Sequence, residues 1–591
     1  MASKVLVTTA IEETWPLNKD SVIFLGEWCL RYDRREIWKA MDFKVATYHW
    51  DDREKLHADY QYLNELHESL LCDLQKYLNT HHQTDHSVRY WRIQLGPWMG
   101  FIIPILFDRW TMLNNVATEY DISGMYSVPY KLEDVIAQDT KQFVELSLLD
   151  SWNQIIFSEL ATHIGVNVQE VVDLSGEALE IPKKNQPETK HTLKARLKRL
   201  LQYLSAKLST DSDVFFITPY LSKFESFRLQ LKLRQFPSIW ESPELFIHEK
   251  PDSSIRRGLV KQDDDFRKIA LVMLKRHMPI VFLEGYKSSL NVVQNMPWPK
   301  TPQSIVTAVS WNVDDLFKLY AGENIENGVA LITIQHGGNF GIAKWNFFEE
   351  HQVKISDEHL TWGWDDDSSK KVVPFCNVKN LEGNIQSSKT GGVLLVGLTL
   401  PSFSYLMFSG TVAAGQLNQH FNDQVSFLAH LPEHIVSQTT LRIESGFGSC
   451  QMEQWKDQLD QHPILLEDVN DCSMDESLRR SRLCVSTYNA TVFLETMSLG
   501  LPTLIFWNPR HWELREAAVP YFELLQSVGI FHTTPESAAQ QLTKIWDDVD
   551  GWWSSEAVIS ARNRFCHKYA RKIDDPIEFL VSRASMDYAS V

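Results

Sequence analysis

Long apolar runs are missing from this chain of 591 residues. The longest, Gly100–Phe107, falls far short of the ~20 residues that a membrane-crossing helix requires. Paired cysteines are missing too. The seven present (Cys29, Cys72, Cys376, Cys450, Cys472, Cys484 and Cys566) are scattered, with no Cys-x-x-Cys, which excludes a disulfide framework or zinc ribbon and points to reduced thiols. An excess of positive charge is lacking: 58 Lys and Arg against 76 Asp and Glu leave a net charge of −18. A general nucleic-acid binder would need a basic surface, so none is expected. The opening MASKVLVTTA turns polar too soon for a secretory signal, so a cytoplasmic setting is expected. No internal repeat is visible.

What the chain does have is the composition of a globular protein, 44% hydrophobic and 23% charged, at a length that calls for two to four domains. Short apolar strand candidates alternate with amphipathic helices: Lys4–Thr8, Val22–Leu25, Phe43–Tyr48, Val214–Ile217, Ile280–Leu283, Ile305–Val309 and Val329–Ile334 read as strands. Arg53–Leu78 and Ser87–Leu113 read as long helices. After a polar linker at 376–391, a fresh strand–helix pattern starts at Gly392 and continues through Thr440–Ile443, Leu483–Val485 and Thr503–Phe506. Strands separated by helices imply mainly parallel sheets. The expected fold is therefore α/β: an N-terminal Rossmann-like domain over 1–375 with a helical insertion at about 165–260, a C-terminal Rossmann-like domain over 392–570 facing it across a cleft, and a tail at 571–591. Within the insertion, Thr192–Ser209 carries leucines at helical spacing with Lys and Arg between them. Such a helix rests on an anionic membrane or, the commoner case, packs on a core with a solvated basic face.

Two segments carry chemistry. In the first, strand Leu483–Val485 runs into Ser486-Thr487-Tyr488-Asn489, a helix bearing Thr491 and Glu495, and then Gly500-Leu501-Pro502. Hydroxyls, an amide and free backbone N–H groups at a helix N-terminus favour an anion, although an ordinary strand–helix unit with a Ser/Thr cap has the same look. In the second, strand Val329–Ile334 runs into Gln335-His336-Gly337-Gly338. Open α/β sheets put ligands at strand C-termini. The glycines let backbone amides approach a phosphate, and His336 is placed as general acid/base or hydrogen-bond donor. The alternative is a histidine capping a turn. Carboxylates at other strand ends, Glu27 and Glu13 first among them, are candidates for base or nucleophile. His81, His82 and His86 sit in a polar turn between helices, and Asp263–Asp265 and Asp365–Asp367 in polar loops; no metal site is expected from them.

The motifs Thr8–Trp15, Phe24–Trp28, Tyr48–Asp52, Arg89–Arg92, Gln335–Gly338 with Ala343–Trp345, Thr361–Trp364, Tyr488–Thr491 and Phe506–Pro509 together resemble a family of transferases from bacterial surface-polysaccharide (O-antigen) gene clusters, from Thr8 to about Tyr569. More remotely, the Gln-His-Gly element and the Ser/Thr loop before a Glu-bearing helix are similar to capsule-type GT-B glycosyltransferases. This resemblance implies a metal-independent enzyme with no cofactor beyond a nucleotide-sugar donor, CMP-activated keto-sugars of Kdo or nonulosonate type being favoured. It places the donor phosphate on the Ser486 loop, the ribose on Glu495, and Ser486, Thr487, Asn489 and Thr491 around the nucleotide. The His-Pro that several such enzymes carry at a donor-domain strand end is replaced here by Leu441-Arg442-Ile443, so Arg442 is the candidate phosphate partner. The acceptor implied is a glycan or lipid-linked glycan, met at the cytoplasmic face of the inner membrane, with 192–209 as a peripheral contact. Two rivals remain at this stage: a CDP-polyol phosphotransferase or nucleotide-sugar epimerase of the same architecture, and a non-catalytic assembly partner.

Overall fold

A computed structural model describes residues 4–16, 21–171, 207–210, 212–258, 265–380, 385–403, 412, 415–443 and 451–586. Its strands form three wholly parallel sheets. The first comprises β1 (Lys4–Val7), β2 (Val22–Phe24), β3 (Phe43–Val45), β4 (Ile122–Ser127) and β5 (Val168–Glu170), ordered β3-β2-β1-β4-β5. The second holds β6 (Phe215–Ile217), β7 (Ser304–Thr307), β8 (Ala330–Ile334), β9 (Glu358–Thr361) and β10 (Val372–Pro374), ordered β10-β9-β8-β7-β6. The third holds β11 (Gly392–Val396), β12 (Thr439–Ile443), β13 (Leu465–Asp468), β14 (Ser481–Ser486), β15 (Thr503–Phe506) and β16 (Phe531–His532), ordered β13-β12-β11-β14-β15-β16. Chain direction across this sheet reverses between β11 and β14, where Val396 lies in register with Ser486. Such switch points are where open α/β sheets bind ligands.

The α/β, Rossmann-like expectation of parallel sheets holds: the first and third sheets carry the order reversal of a Rossmann-like unit, and the second, whose strands follow in plain succession, is an addition to it. Residues 1–375 carry two parallel sheets where one Rossmann-like unit was expected. The reason is the long buried helix Val88–Glu119, which separates them. Every residue from Ile93 to Arg109 on it is buried, as an all-round apolar helix must be. Helix Phe347–Ile355 packs closely on it because the facing residues are glycines: a Cβ on Gly96 would lie 2.3 Å from His351, and one on Gly100 2.0 Å from Phe347. The buried charges are paired, with His49 Nε2 3.0 Å from Asp108 Oδ1 and Arg109 on Asp108 and Asn153. The second long helix, Arg53–His82, is capped by Asp52, which accepts from the N–H groups of Glu54 and Lys55.

Three further expectations need correction. Ile280–Phe282 is a 3-10 turn and not a strand. The 165–260 stretch is not purely a helical insertion, for it supplies the edge strands β5 and β6; the basic stretch 192–206 lies outside the described residues. Residues 571–591 are more than a tail. Strand alternation turns Phe216, Val306, Ile332 and Leu360 to one face of the second sheet, and helix Pro576–Ala584 returns to cover that face with Ile577, Leu580 and Ala584. Ser304 Oγ, on β7, donates to the Ala584 carbonyl at 2.8 Å. Among the described residues no helix is long and apolar enough to cross a membrane.

Candidate functional site

The loop after β8 and the loop after β14 meet. Gln335 is fully buried, and its amide Nε2 donates to the Gly337 carbonyl at 3.1 Å. Its Oε1 accepts from the Trp362 N–H at 2.8 Å and Trp364 Nε1 at 2.9 Å, while its own carbonyl accepts from Trp362 Nε1 at 3.0 Å. Its Oε1 accepts two hydrogen bonds and its Nε2 donates one within the protein, so the side chain shapes the loop. Gly338 adopts a left-handed φ of 57°, which favours glycine, and its N–H donates to Thr491 Oγ1 at 2.8 Å. Thr491 begins helix Thr491–Leu499. A Cβ on Gly337 would lie 2.9 Å from the same hydroxyl, so both glycines are needed for the second and third sheets to meet here.

His336 stands at this junction. Its ring is flanked by Phe340 at 5.5 Å, Trp311 at 6.0 Å and Tyr220 at 6.3 Å between centroids. The residue is half-buried, and its Nδ1 is buried with no hydrogen-bond partner among the described residues. Burial, assisted by the charge of Lys379, lowers its pKa to about 4. The imidazole is therefore neutral at neutral pH, able to donate from one nitrogen and accept at the other.

On the facing loop, Thr487 Oγ1 donates to the Val396 carbonyl at 2.9 Å and fastens β14 to β11 at the switch point. Ser486 Oγ donates to the Tyr488 carbonyl at 3.3 Å. Asn489 differs from both: it is 1% exposed, and neither Oδ1 nor Nδ2 has a hydrogen-bond partner among the described residues. An amide left so costs about 1–3 kcal/mol, and buried polar groups are otherwise almost always satisfied. Glu495, one turn into the helix, has its pKa raised by burial, with Lys379 opposing. Lys379 Nζ lies 3.6 Å from the Glu495 carboxylate and 5.0 Å from the Tyr220 ring centroid. A cation, backbone amides at a helix start, an unmatched amide, a carboxylate and a neutral imidazole thus line one junction. Together they can bind an anion bearing hydroxyl and amide-like groups.

The carboxylates from the first sheet gather at its own edge. β1, β2 and β3 are neighbours, so Glu13, on the turn Glu12–Thr14, and Glu27, on the turn Glu27–Cys29, come from adjacent strand ends. Burial raises the Glu27 pKa, and nearby Asp51 raises it further. The Glu27 side chain packs on Gly415, where a Cβ would come 3.4 Å from Glu27 Cγ. From there contacts run toward the β14 loop. Gln416 Nε2 donates to Asp51 at 2.9 Å, Arg53 pairs with Glu513 at 2.7 Å, and Trp512 lies 6.1 Å from both His420 and Tyr488. Glu27 and His336 therefore approach the β11–β14 switch point from different sheets, and no contact between the two is described.

A comparison with family models matches residues 4–583 to the family described as LIC12162 family transferase. The chain belongs to that family. A search of curated proteins found no match. Among solved structures, this LIC12162-family transferase overlaps "Spinosyn Rhamnosyltransferase SpnG complexed with spinosyn aglycone" at 10% identity and a TM-score of 0.27, over 51% of this chain and 79% of that one. It overlaps "S. aureus MnaA-UDP co-structure" at 9% identity and a TM-score of 0.31, over 60% of this chain and 91% of that one.

Arg442 of this LIC12162-family transferase is not placed as expected. Its guanidinium donates to Glu467 Oε1 at 2.6 Å, to Ser477 Oγ at 3.2 Å and to the carbonyls of Val469 and Cys472. Glu467 lies on β13, and Val469 and Cys472 on the loop after it, whereas Ser477 comes from helix Met474–Arg480. The guanidinium of the candidate phosphate partner is held in an ion pair with Glu467. Lys379 occupies the junction instead, and sequence reasoning missed it because it falls in what looked like a featureless linker. Tyr220 was missed as well. It follows β6 with a φ of 60°, after Thr218 at 44°, the kind of left-handed non-glycine backbone that collects at functional sites.

Proposed function

We propose that this LIC12162-family transferase moves a sugar from a nucleotide-activated donor to a glycan acceptor of a surface polysaccharide. A CMP-activated keto-sugar of Kdo or nonulosonate type is the favoured donor. The reading rests on family membership and above all on Asn489, whose buried amide has no partner among the described residues and is where a nucleotide would supply one. In this scheme Glu495 takes the ribose hydroxyls, and Lys379 with the amides of Gly337 and of the Thr491 helix start takes the phosphate. The acceptor oxygen attacks the anomeric carbon as the bond from that carbon to the phosphate oxygen breaks, and the nucleotide leaves with the bonding electrons. Glu27, its pKa raised by burial and by Asp51, takes the acceptor proton, while neutral His336 donates a hydrogen bond to the departing phosphate.

The test is a thermal-shift panel with CMP, CDP, UDP, GDP and UMP, repeated on Ser486→Ala and Glu495→Ala. A ligand at a hundred times its dissociation constant adds about 2.7 kcal/mol to the native state. Stabilisation by CMP, lost in Glu495→Ala, is the expected result. A response to UDP or GDP alone would overturn the keto-sugar donor and keep glycosyl transfer; no response to any nucleotide would overturn both.

A further inference from the structure

Helix Lys223–Lys232 turns the wrong face to water. Ser222 caps it, and Leu229 holds it to the second sheet and to helix Pro576–Ala584. On its outer side Phe224 is 68% exposed, Phe227 52% and Leu231 53%. These three sit at i, i+3 and i+7, one stripe of a helix. The chain then folds back along it, with the Ser238 N–H donating to Gln230 at 2.8 Å, and adds exposed Phe236 and Ile239 to the same region. Soluble surfaces scatter single apolar residues, whereas a contiguous patch of this size marks an interaction surface.

The charge around the stripe selects the partner. Lys223, Arg228, Lys232 and Arg234 surround it against a single carboxylate, Glu225, within 223–234, in a chain whose net charge is −18. Arg228 lies 3.6 Å from Glu225, and Lys232 pairs with Glu578 at 2.7 Å, while Lys223 and Arg234 have no acidic partner among the described residues. Exposed phenylalanines flanked by cations match the boundary of an anionic bilayer, rings at the acyl edge and cations at the headgroups. Position adds to this. Tyr220, three residues before the helix, lies 6.3 Å from the His336 ring and 5.0 Å from Lys379 Nζ, so the patch borders the mouth of the candidate site.

We infer that the face formed by Phe224, Phe227 and Leu231 with Lys223 and Arg234 is a docking surface for an anionic lipid bilayer, and that it sets the His336 junction at the membrane surface. This contact is distinct from the 192–209 segment that the sequence suggested. It does not depend on the donor assigned above, because its readout is lipid binding alone.

The test is flotation of the full chain with vesicles of phosphatidylcholine, with and without phosphatidylglycerol. The expected result is binding to the phosphatidylglycerol vesicles that weakens in high salt, each cation being worth about fivefold at such a surface. Phe224→Ser/Phe227→Ser should weaken binding at least tenfold, and Lys223→Glu/Arg234→Glu should remove the preference for the anionic lipid. All four positions are exposed, so unchanged thermal unfolding verifies the fold. The inference is overturned if the native chain does not float, or if the phenylalanine variant floats equally well. It is also overturned if the native chain sediments as a dimer that this variant dissociates without any vesicle binding, which would make the face a protein interface.

Discussion

Replacing Asn489 with leucine removes two polar atoms that have no hydrogen-bond partner among the described residues, 1% exposed just before helix Thr491–Leu499. An unmet buried polar group costs about 1–3 kcal/mol. Leucine is close enough in volume to limit the cavity and strain terms to about 1.5 kcal/mol. The ligand-free variant should therefore be as stable as the native protein or more so. The expected rise in melting temperature is about 2–4 °C for each kcal/mol recovered in a unit of this size. Nucleotide binding should move the other way. Losing a hydrogen bond and leaving the ligand group unpaired costs ~1–3 kcal/mol, roughly ten- to hundredfold in affinity. Differential scanning fluorimetry with and without nucleotide reads both numbers on one sample. A variant that melts several degrees below the native protein, yet keeps its full nucleotide shift, would show Asn489 to be satisfied within the fold and would refute the reasoning.

Lys379→Ala should lower nucleotide affinity about ten- to hundredfold, as expected for one charge-assisted hydrogen bond, and should also lower ligand-free melting, because the side chain is 33% exposed and offsets the burial of the Glu495 carboxylate; isothermal titration of the folded variant checks the affinity. Arg442→Met should do the reverse. It strands Glu467 beside an empty partner and destabilises by about 3–5 kcal/mol in denaturant titration, while the surviving folded protein binds nucleotide normally; adding Glu467→Leu should recover much of the loss. Acid should unfold the protein partly through its buried imidazoles. His420 is held neutral, with its pKa lowered to about 4 by burial and by nearby His511, against about 6.5 when unfolded. The unfolded chain binds the extra proton, so this stability is present above pH 6.5 and is lost as pH falls toward 4, up to about 3 kcal/mol. His420→Gln should flatten that part of the melting curve between pH 7 and pH 5. Asp314 and Asp423, raised to about 6 by burial, pull in the opposite direction, which is why the comparison with the variant, and not the slope alone, is decisive.

The local order of elements was determined by the sequence itself. Strand Leu483–Val485, a small polar loop and a Gly-capped helix follow from apolar runs, cap residues and breakers within twenty residues of one another, and they appear as β14, the Ser486 loop and Thr491–Leu499. The same holds for β8 and its glycines, whose backbone freedom is a property of the residue. The roles of neighbouring polar residues were decided by tertiary structure, because a hydrogen-bonding group is free or spent according to what packs against it. Ser486, Thr487 and Asn489 look alike in sequence. Packing against β11 consumes Thr487 through the Val396 carbonyl, Ser486 turns to its own loop, and Asn489 is the one of the three without a partner among the described residues. Gln335 and Arg442 were spent in the same way on tryptophans and on Glu467. Lys379 became a site residue only because the second and third sheets close on each other around it. The third sheet's order, and with it the switch point at Val396 and Ser486, depends on pairings between strands nearly a hundred residues apart. No local pattern encodes which of several apolar strands will be the neighbour; that is settled by the burial of both faces of each sheet.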